Sequence, residues 1–527
     1  MTAEHHPLRI VLVGYGPVGA RFVEELLPAV TSGDVALTVV GAEREDAYNR
    51  VLVAEYAVGA ADRARLDVTD TAAARAAGVR IDLGAAAVEL DRTRQTVLLD
   101  SGERLDYDRL VLATGARPNI PTLVGLGDVR HDRRRVPTAA ADVDRGTDPF
   151  PLGVVAMRDL EDADQVRATV RSGGTVVVLG AGVLGMEFAL LAAEHGTEVV
   201  VVHQGPAPMA RNLDRDGGRV LARVTRAAGV GLAANARAEA IETVDGPDGR
   251  PRFSALLGAD GSRIPGDLLV LSCGVAARTE LAERAGIATD RGVLVDEELR
   301  SWTDPSVHAI GDCAHVVDPD APVSGGPAGL IGPGWRQASR LADRLTREAR
   351  ATAAPLLPTD DGPVERPAVV MLKATGVDLV AGGLVDVDPW RDDDVRVGVW
   401  LDPVGGQYCK TVVRGDVLVG FVTVGMPRAG AELTLLFERG SSVPGDPATL
   451  LRLDAPTAAR VAPRALDADA TVCACNGVSA GTVTAAAGAG ADTIEAVGAA
   501  TRAGTGCGGC RGRIEELLTA SGIVRVG

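Results

Sequence analysis

Twice in 527 residues an apolar run stops at Gly-x-Gly-x-x-Gly and gives way to a helical pattern. The first copy reads LRIVLVGYGPVGARFVEELLPAV and leads to a second apolar run, VALTVVGAE; the other reads TVVVLGAGVLGMEFALLAAEHGTEVVVV. Apolar strand, glycine turn, helix and second strand make a βαβ unit. Two such units confine the chain to α/β architectures. In each, the first glycine permits a tight turn and the second lets a pyrophosphate approach the backbone. The third lets helix and strand pack closely, and the helix N-terminus faces the phosphates. Gly14, Gly16 and Gly19 carry the first motif; Gly180, Gly182 and Gly185 carry the second. A dinucleotide is the expected ligand of each.

The residues that end the second strand differ between the copies. Glu43 stands where a ribose-binding carboxylate belongs. His203 takes that place in the second unit, and a neutral imidazole cannot accept two ribose hydrogen bonds as a carboxylate does. No Arg follows directly to hold a 2′-phosphate, although Arg211 is near. NADH is the expected donor, with NADPH left open.

Composition narrows the class. The net charge is −17 and Arg is interleaved with Asp and Glu, which argues against a nucleic-acid surface. Aromatics make up 3%, so the cores must rest on Val, Leu, Ile and Ala. No apolar run approaches the ~20 residues of a membrane span and no apolar leader precedes the first strand. A cytoplasmic protein is expected. The segments 126–150, 350–366 and 439–470 read as charged or Pro/Gly/Ala-rich connectors. Between the last two, alternating strands and a turn at Arg414-Gly415-Asp416 suggest an antiparallel hairpin.

Four of the seven cysteines close the chain as Cys473-x-Cys475 and Cys507-x-x-Cys510. Four thiolates suit zinc or an iron–sulfur cluster. Structural zinc prefers longer spacers than C-x-C, which favours iron–sulfur. Helical patterns follow both pairs, and helix N-termini would offset a cluster's negative charge. Cys273 and Cys313 stand singly, as a strand-end residue and as packing behind Asp312. No cysteine pair accompanies either glycine motif, which argues against thiol–disulfide chemistry there.

The glycine motifs, the Thr114-Gly115 of LVLATGARP and the Gly311-Asp312 of VHAIGDCAH come in an order that resembles the two-dinucleotide-binding-domain flavoproteins. The cysteine tail resembles the [2Fe–2S] domain of the bacterioferritin-associated ferredoxin type. Together with AYNRVLVAEY, MARNLD and LKATGVDLVAGG, they make the chain similar to the FAD/NAD(P)H portion of bacterial assimilatory nitrite reductase large subunits and to the electron-transfer subunit of assimilatory nitrate reductases.

The resemblance implies an α/β fold of two nested Rossmann-like domains, followed by a small α+β domain and a helical [2Fe–2S] domain. An FAD-binding domain is expected over 1–125 and 266–349, an NAD(P)H-binding domain over 151–265, the α+β domain over 366–440 and the cluster domain over 471–527. FAD contacts are expected at Gly14, Gly16, Pro17, Gly19, Glu43, Asn49, Arg50, Ala87, Thr114, Gly115, Asp312 and Trp335. NAD(P)H contacts are expected at Gly180, Gly182, Gly185, Glu187, His203 and Gly274, and cluster ligands at the four terminal cysteines. The implied activity is an NAD(P)H-dependent oxidoreductase whose cofactors do the chemistry, with no catalytic side chain. The residues given hold no further cysteine set for a sirohaem and [4Fe–4S] portion. The expected partner is therefore a sirohaem nitrite reductase or a molybdenum nitrate reductase. A rubredoxin- or ferredoxin-type carrier is the alternative, and a homodimer is open.

Overall fold

The computed structural model describes residues 6–127, 150–246, 249–317, 320, 322–350, 369–374, 376–444, 446–454 and 466–520. The expected connectors at 126–150 and 350–366 fall largely outside these residues, whereas most of 439–470 is described and includes the short helical turn Pro447–Arg452.

The first glycine unit builds a five-stranded parallel sheet. Its order is Val307–Ala309, Arg109–Leu112, Leu8–Val13, Val35–Gly41 and Arg80–Leu83. Near-continuous apolar runs suit strands buried on both faces, and Ile10, Leu12, Val39, Leu110 and Val111 are fully buried. Helix Pro17–Thr31 covers the sheet and packs along Ile331–Ala349, with Ser339 bridging Arg21 and Glu25.

A second parallel sheet repeats the plan, in the order Gly231–Ala233, Val199–Val202, Val176–Leu179, Leu268–Leu271 and Val154–Val155. Leu268–Leu271 lies past the expected limit of 265, because its four residues pair with Val176–Leu179 at the sheet centre. The chain then returns to the first unit where Val275–Ala277 pairs antiparallel with Ala116–Pro118.

The third unit is a five-stranded antiparallel sheet, in the order Val370–Ala374, Val377–Gly383, Val417–Val424, Gln407–Arg414 and Val395–Asp402. Arg414 pairs with Val417, so Gly415 and Asp416 make the expected turn. Helix Pro427–Arg439 covers one face, with Phe437 edge-on to Phe421. Val443 and Leu450 join the same core, so this unit extends beyond the expected limit of 440.

A buried polar bolt ties this unit to the second nucleotide unit. Asp214, from MARNLD, caps helix Arg215–Ala227 and accepts from Tyr408 Oη at 2.5 Å and Lys410 Nζ at 3.2 Å. Lys410 also donates to Val385 O at 2.8 Å, so the buried ammonium is paired.

The tail forms a short hairpin, Thr471–Cys473 with Val478–Ser479, and helices Ala480–Gly488, Ile494–Thr501 and Arg511–Ala520. Among the described residues no helix is long and apolar enough to cross a membrane.

Candidate functional site: two nucleotide cradles and a cysteine centre

Both glycine loops have the same backbone. Gly14 has φ +111° and Gly180 has φ +118°, where an L side chain is strained. A Cβ on Gly14 would lie 2.2 Å from Ala113 O; one on Gly180 would lie 2.1 Å from Ser272 O. Gly19 and Gly185 would drive a Cβ to 2.3 and 2.2 Å from the carbonyls of Gly14 and Gly180. By contrast, a Cβ on Gly182 would meet nothing within 4 Å, and one on Gly16 only Arg50 Nε at 3.8 Å. These two are the helix N-caps, and neither helix has a side-chain cap bond. Pro17 opens the first helix, where its missing N–H costs nothing. Each loop is an open cradle of backbone N–H groups at a positive helix end, which fits a dinucleotide pyrophosphate.

Around the first cradle, Glu43 is engaged by Tyr48 and Arg50. Tyr48 Oη donates at 2.9 Å and the Arg50 guanidinium forms a close ion pair. Burial would raise the Glu43 carboxyl and weaken the Arg50 charge, but the pairing overrides both: Glu43 lies below its ordinary range and Arg50 above. Arg50 reaches on to Arg158 O at 3.3 Å, and Arg158 Nη2 pairs with Asp312 Oδ2 at 3.0 Å. Glu43, Arg50, Arg158 and Asp312 thus form a continuous charged chain. Thr114 Oγ1 donates to Arg278 O at 2.8 Å, and Gly115 O accepts from Arg278 N, at the point where the chain recrosses. Ala87 is buried in the strand Ala87–Asp91. A cleft between the units is lined by Val53, Met157, Arg158, Leu184, Phe188 and Val270.

The second cradle is less charged. His203 is buried just past Val199–Val202, and desolvation lowers its pKa, so the ring is neutral. Its Nε2 has no hydrogen-bond partner among the described residues. Arg211 is exposed in the following turn. Glu187 is buried in helix Val183–Glu194. Gly274 O accepts from Asn119 N at 2.9 Å at the crossover.

Asn49, expected as an FAD contact, turns its amide to the cysteine loop. It is 1% exposed, and its amide donates to Thr505 O at 3.3 Å and Gly506 O at 3.1 Å, just before Cys507. Its donors are spent on the cysteine loop. Trp335 also faces both ways. Its indole N–H donates to Pro17 O at 3.0 Å, while a Cβ on Gly506 would lie 2.7 Å from its ring. Arg502 pairs with Glu24 at 2.5 Å. The cysteine loop is therefore docked on the first cradle.

The four terminal cysteines come together in two pairs. Cys473 is hydrogen-bonded to Cys510, which brings it down to about 6 and pushes Cys510 up; Cys475 is pushed up by its hydrogen bond with Cys507. Asn476 Nδ2 lies 3.8 Å from Cys473 Sγ. No three of these side chains among the described residues converge on a single metal position. Two pairs side by side fit a binuclear centre with two thiolates per iron better than one tetrahedral zinc. One helix, Arg511–Ala520, starts directly at a cysteine. Ala480–Gly488 follows the first pair at a distance and is capped by Ser479, whose side chain accepts from Thr482 N. Cys313 is buried behind Asp312 as expected, with Sγ donating to Leu112 O and Ile310 O. Cys273 is half-buried, and burial lifts its thiol to about 11.

A family profile described as pyridine nucleotide-disulphide oxidoreductase matches residues 8–338. The chain belongs to that family. A second profile, the BFD-like [2Fe-2S] binding domain, matches residues 471–520. A pyridine nucleotide-disulphide oxidoreductase with this added module has FAD, NAD(P)H and a [2Fe–2S] cluster as cofactors. Over 97% of its length the chain is 28% identical to "Nitrite reductase [NAD(P)H]" of Bacillus subtilis and 26% identical to that organism's "Assimilatory nitrate reductase electron transfer subunit". It spans 57% and 59% of those two relatives. A ferredoxin reductase from Rhodopseudomonas palustris shares the fold at TM-score 0.66 and 23% identity, over 85% of this chain and 98% of that one.

The disulphide of the family name has no counterpart among the described residues, where none of the seven cysteines is in a disulfide. Tyr48 and Arg158 escaped sequence reading. Tyr48 sat inside AYNRV, and Arg158 precedes the capped helix Leu160–Arg171; neither spacing announces a charged chain.

Proposed function

We propose that this oxidoreductase takes reducing equivalents from NADH and delivers them singly, through its C-terminal domain, to an assimilatory nitrite or nitrate reductase centre on a partner protein in the cytoplasm. The docking of the cysteine loop against Asn49 and Trp335 carries this reading, because it sets the tail beside the first nucleotide cradle rather than the second. When bound, the flavin takes a hydride as an electron pair and the cluster passes single electrons.

The chain's own residues hold and orient. Gly14, Gly16, Pro17 and Gly19 present backbone N–H groups to the FAD pyrophosphate, and Glu43 turns from Arg50 to the ribose. Asp312, held by Arg158, faces the ribityl side, with Thr114 and Gly115 at the crossover. Gly180, Gly182 and Gly185 present the second set of N–H groups to the nicotinamide nucleotide. Neutral His203 accepts from a ribose hydroxyl. Phe188, Met157 and Val270 give the cleft an apolar wall alongside Arg50 and Arg158, which favours a fixed transfer geometry. Cys473, Cys475, Cys507 and Cys510 hold the cluster.

The test is anaerobic mixing of the purified protein with NADH and then NADPH, following flavin and cluster absorbance. Bleaching of both by NADH is expected, and flavin that stays oxidised with both donors overturns the reading. Turnover with nitrite and nitrate reductase partners is then compared with turnover on rubredoxin and ferredoxin. Faster reduction of a small carrier would replace the proposed acceptor while leaving the donor half standing.

A further inference from the structure

The outer strand of the antiparallel sheet, Val395–Asp402, pairs on one side only among the described residues, with Gln407–Arg414. Open edges are normally guarded by Lys, Pro, a bulge or a covering segment. This one reads Val-Arg-Val-Gly-Val-Trp-Leu-Asp, with no Lys or Pro and an unbroken register. Its large apolar side chains are open on both faces: Val399 is 51% exposed, Leu401 46% and Trp400 37%. Trp390, just before the strand, is 92% exposed, and Val404, just after it, is 84% exposed. Half of the chain's four tryptophans stand at this one edge. Scattered surface apolar residues need no explanation, but a contiguous set along an open ladder does.

The strand is complementary to itself. Laid antiparallel against a second copy about a two-fold axis through Val399, residues 396–402 each meet a fitting partner, and the ladder ends where Val395 falls opposite Pro403. Arg396 falls opposite Asp402, twice, joining opposite charges. Val397 falls opposite Leu401. Gly398 falls opposite Trp400, so the indole covers the glycine's bare backbone beside Leu451, which already lies over that face. The Trp390 end of one strand arrives at the Val404 end of the other. Asp402 Oδ1 accepts from the N–H groups of Val404 and Gly405 at 3.1 and 2.9 Å, which holds its carboxylate at the strand end.

We propose that Val395–Asp402 is a self-association edge, at which two copies of this chain join their five-stranded sheets into one ten-stranded sheet centred on Val399. The backbone ladder supplies the attraction, and the Arg396–Asp402 and Gly398–Trp400 pairs set the register. The contact is isologous and closes on itself, so it gives a dimer and not a fibre. It lies on a different strand from Met371, whose sulfur lies beside Gly509 of the cysteine loop.

The test is sedimentation of the full, cofactor-loaded chain over a concentration series, with Val399→Lys and three cysteine variants. Wild type should sediment as a dimer that dissociates on dilution. Val399→Lys, which sets two ammonium groups face to face on the axis, should be monomeric while still being reduced by NADH, showing that it is folded. Under mild oxidation Val399→Cys should give a covalent dimer at least ~10-fold faster than Val397→Cys or Trp400→Cys, because residue 399 alone meets itself. A wild type that stays monomeric to ~100 µM, a Val399→Lys dimer, or equal cross-linking at the three positions would each overturn the proposal. So would a monomer whose edge is taken up by a different protein.

Discussion

The two glycine units share a parallel βαβ core, a loop and a helix start, yet what surrounds them differs. The first cradle is ringed by Glu43, Tyr48, Arg50, Arg158 and Asp312, and it carries the cysteine module through Asn49 and Trp335. The second faces a neutral, half-satisfied His203. The same backbone cradle therefore serves two tasks. On the proposed function, the first cradle would retain its group beside the cluster and the second, with fewer charged neighbours, would let a nucleotide come and go. The motif decides that a dinucleotide binds; the side chains at the strand ends and the neighbouring domain decide which one stays.

The largest test of this difference is a valine in each loop. Gly14→Val and Gly180→Val both force a Cβ to about 2 Å from a backbone carbonyl. Gly14→Val should yield protein without flavin absorbance. Gly180→Val should keep its flavin and lose NADH reduction by more than ~100-fold, equivalent to about 2.7 kcal/mol or more of barrier. Loss of flavin from both variants would mean that the two cradles do not hold separate nucleotides.

Asn49→Ala sharpens the contrast from the cluster side. It strips one buried and one partly buried hydrogen bond from the loop before Cys507, at a cost of about 1–3 kcal/mol. The cluster should be lost to a chelator roughly 10–100-fold faster, read from its visible absorbance, with flavin reduction by NADH changed less than ~2-fold. A direct role for Asn49 at the flavin would slow that reduction instead.

His203→Asp should make the second cradle resemble the first. A carboxylate accepts both ribose hydroxyls and repels a 2′-phosphate, so the kcat/KM ratio for NADH over NADPH should rise about 10-fold. An unchanged ratio would remove His203 from the nucleotide site.

Acid should also act on the first sheet, through a histidine outside either cradle motif. His308, in strand Val307–Ala309 of the first sheet, is buried, and desolvation brings it down to about 3. Its folded pKa lies below the ordinary 6.5, so the unfolded chain binds the proton first. The stability is whole above pH 6.5 and is lost as pH falls towards 3, by up to ~1.4 kcal/mol per pH unit. Denaturation midpoints should fall across that window, and His308→Leu should flatten the slope.

Much of this was legible in the chain. The period of the apolar runs and the glycine spacing identify both βαβ units, because a tight turn and close helix packing admit no other residue at Gly14, Gly19, Gly180 or Gly185. The cysteine spacing points to four ligands in two pairs. Less legible were the domain limits. Leu268–Leu271 looks like a strand of either unit, and only its pairing with Val176–Leu179 assigns it. Asn49 could be read as a nucleotide contact because sequence carries no direction for a side chain.

Sequence alone determined the local chemistry: which turns need glycine, which runs are buried, which thiols share a centre. These are short-range demands, met within a few residues. Tertiary structure alone decided that Asn49 reaches the cysteine loop, that Trp335 touches both that loop and the first cradle, that Arg158 bridges to Asp312, and that MARNLD anchors the small domain through Asp214. Those relations join residues 154 to 457 positions apart. No local propensity encodes such a distance, and only the packing of completed units brings the partners within hydrogen-bond reach.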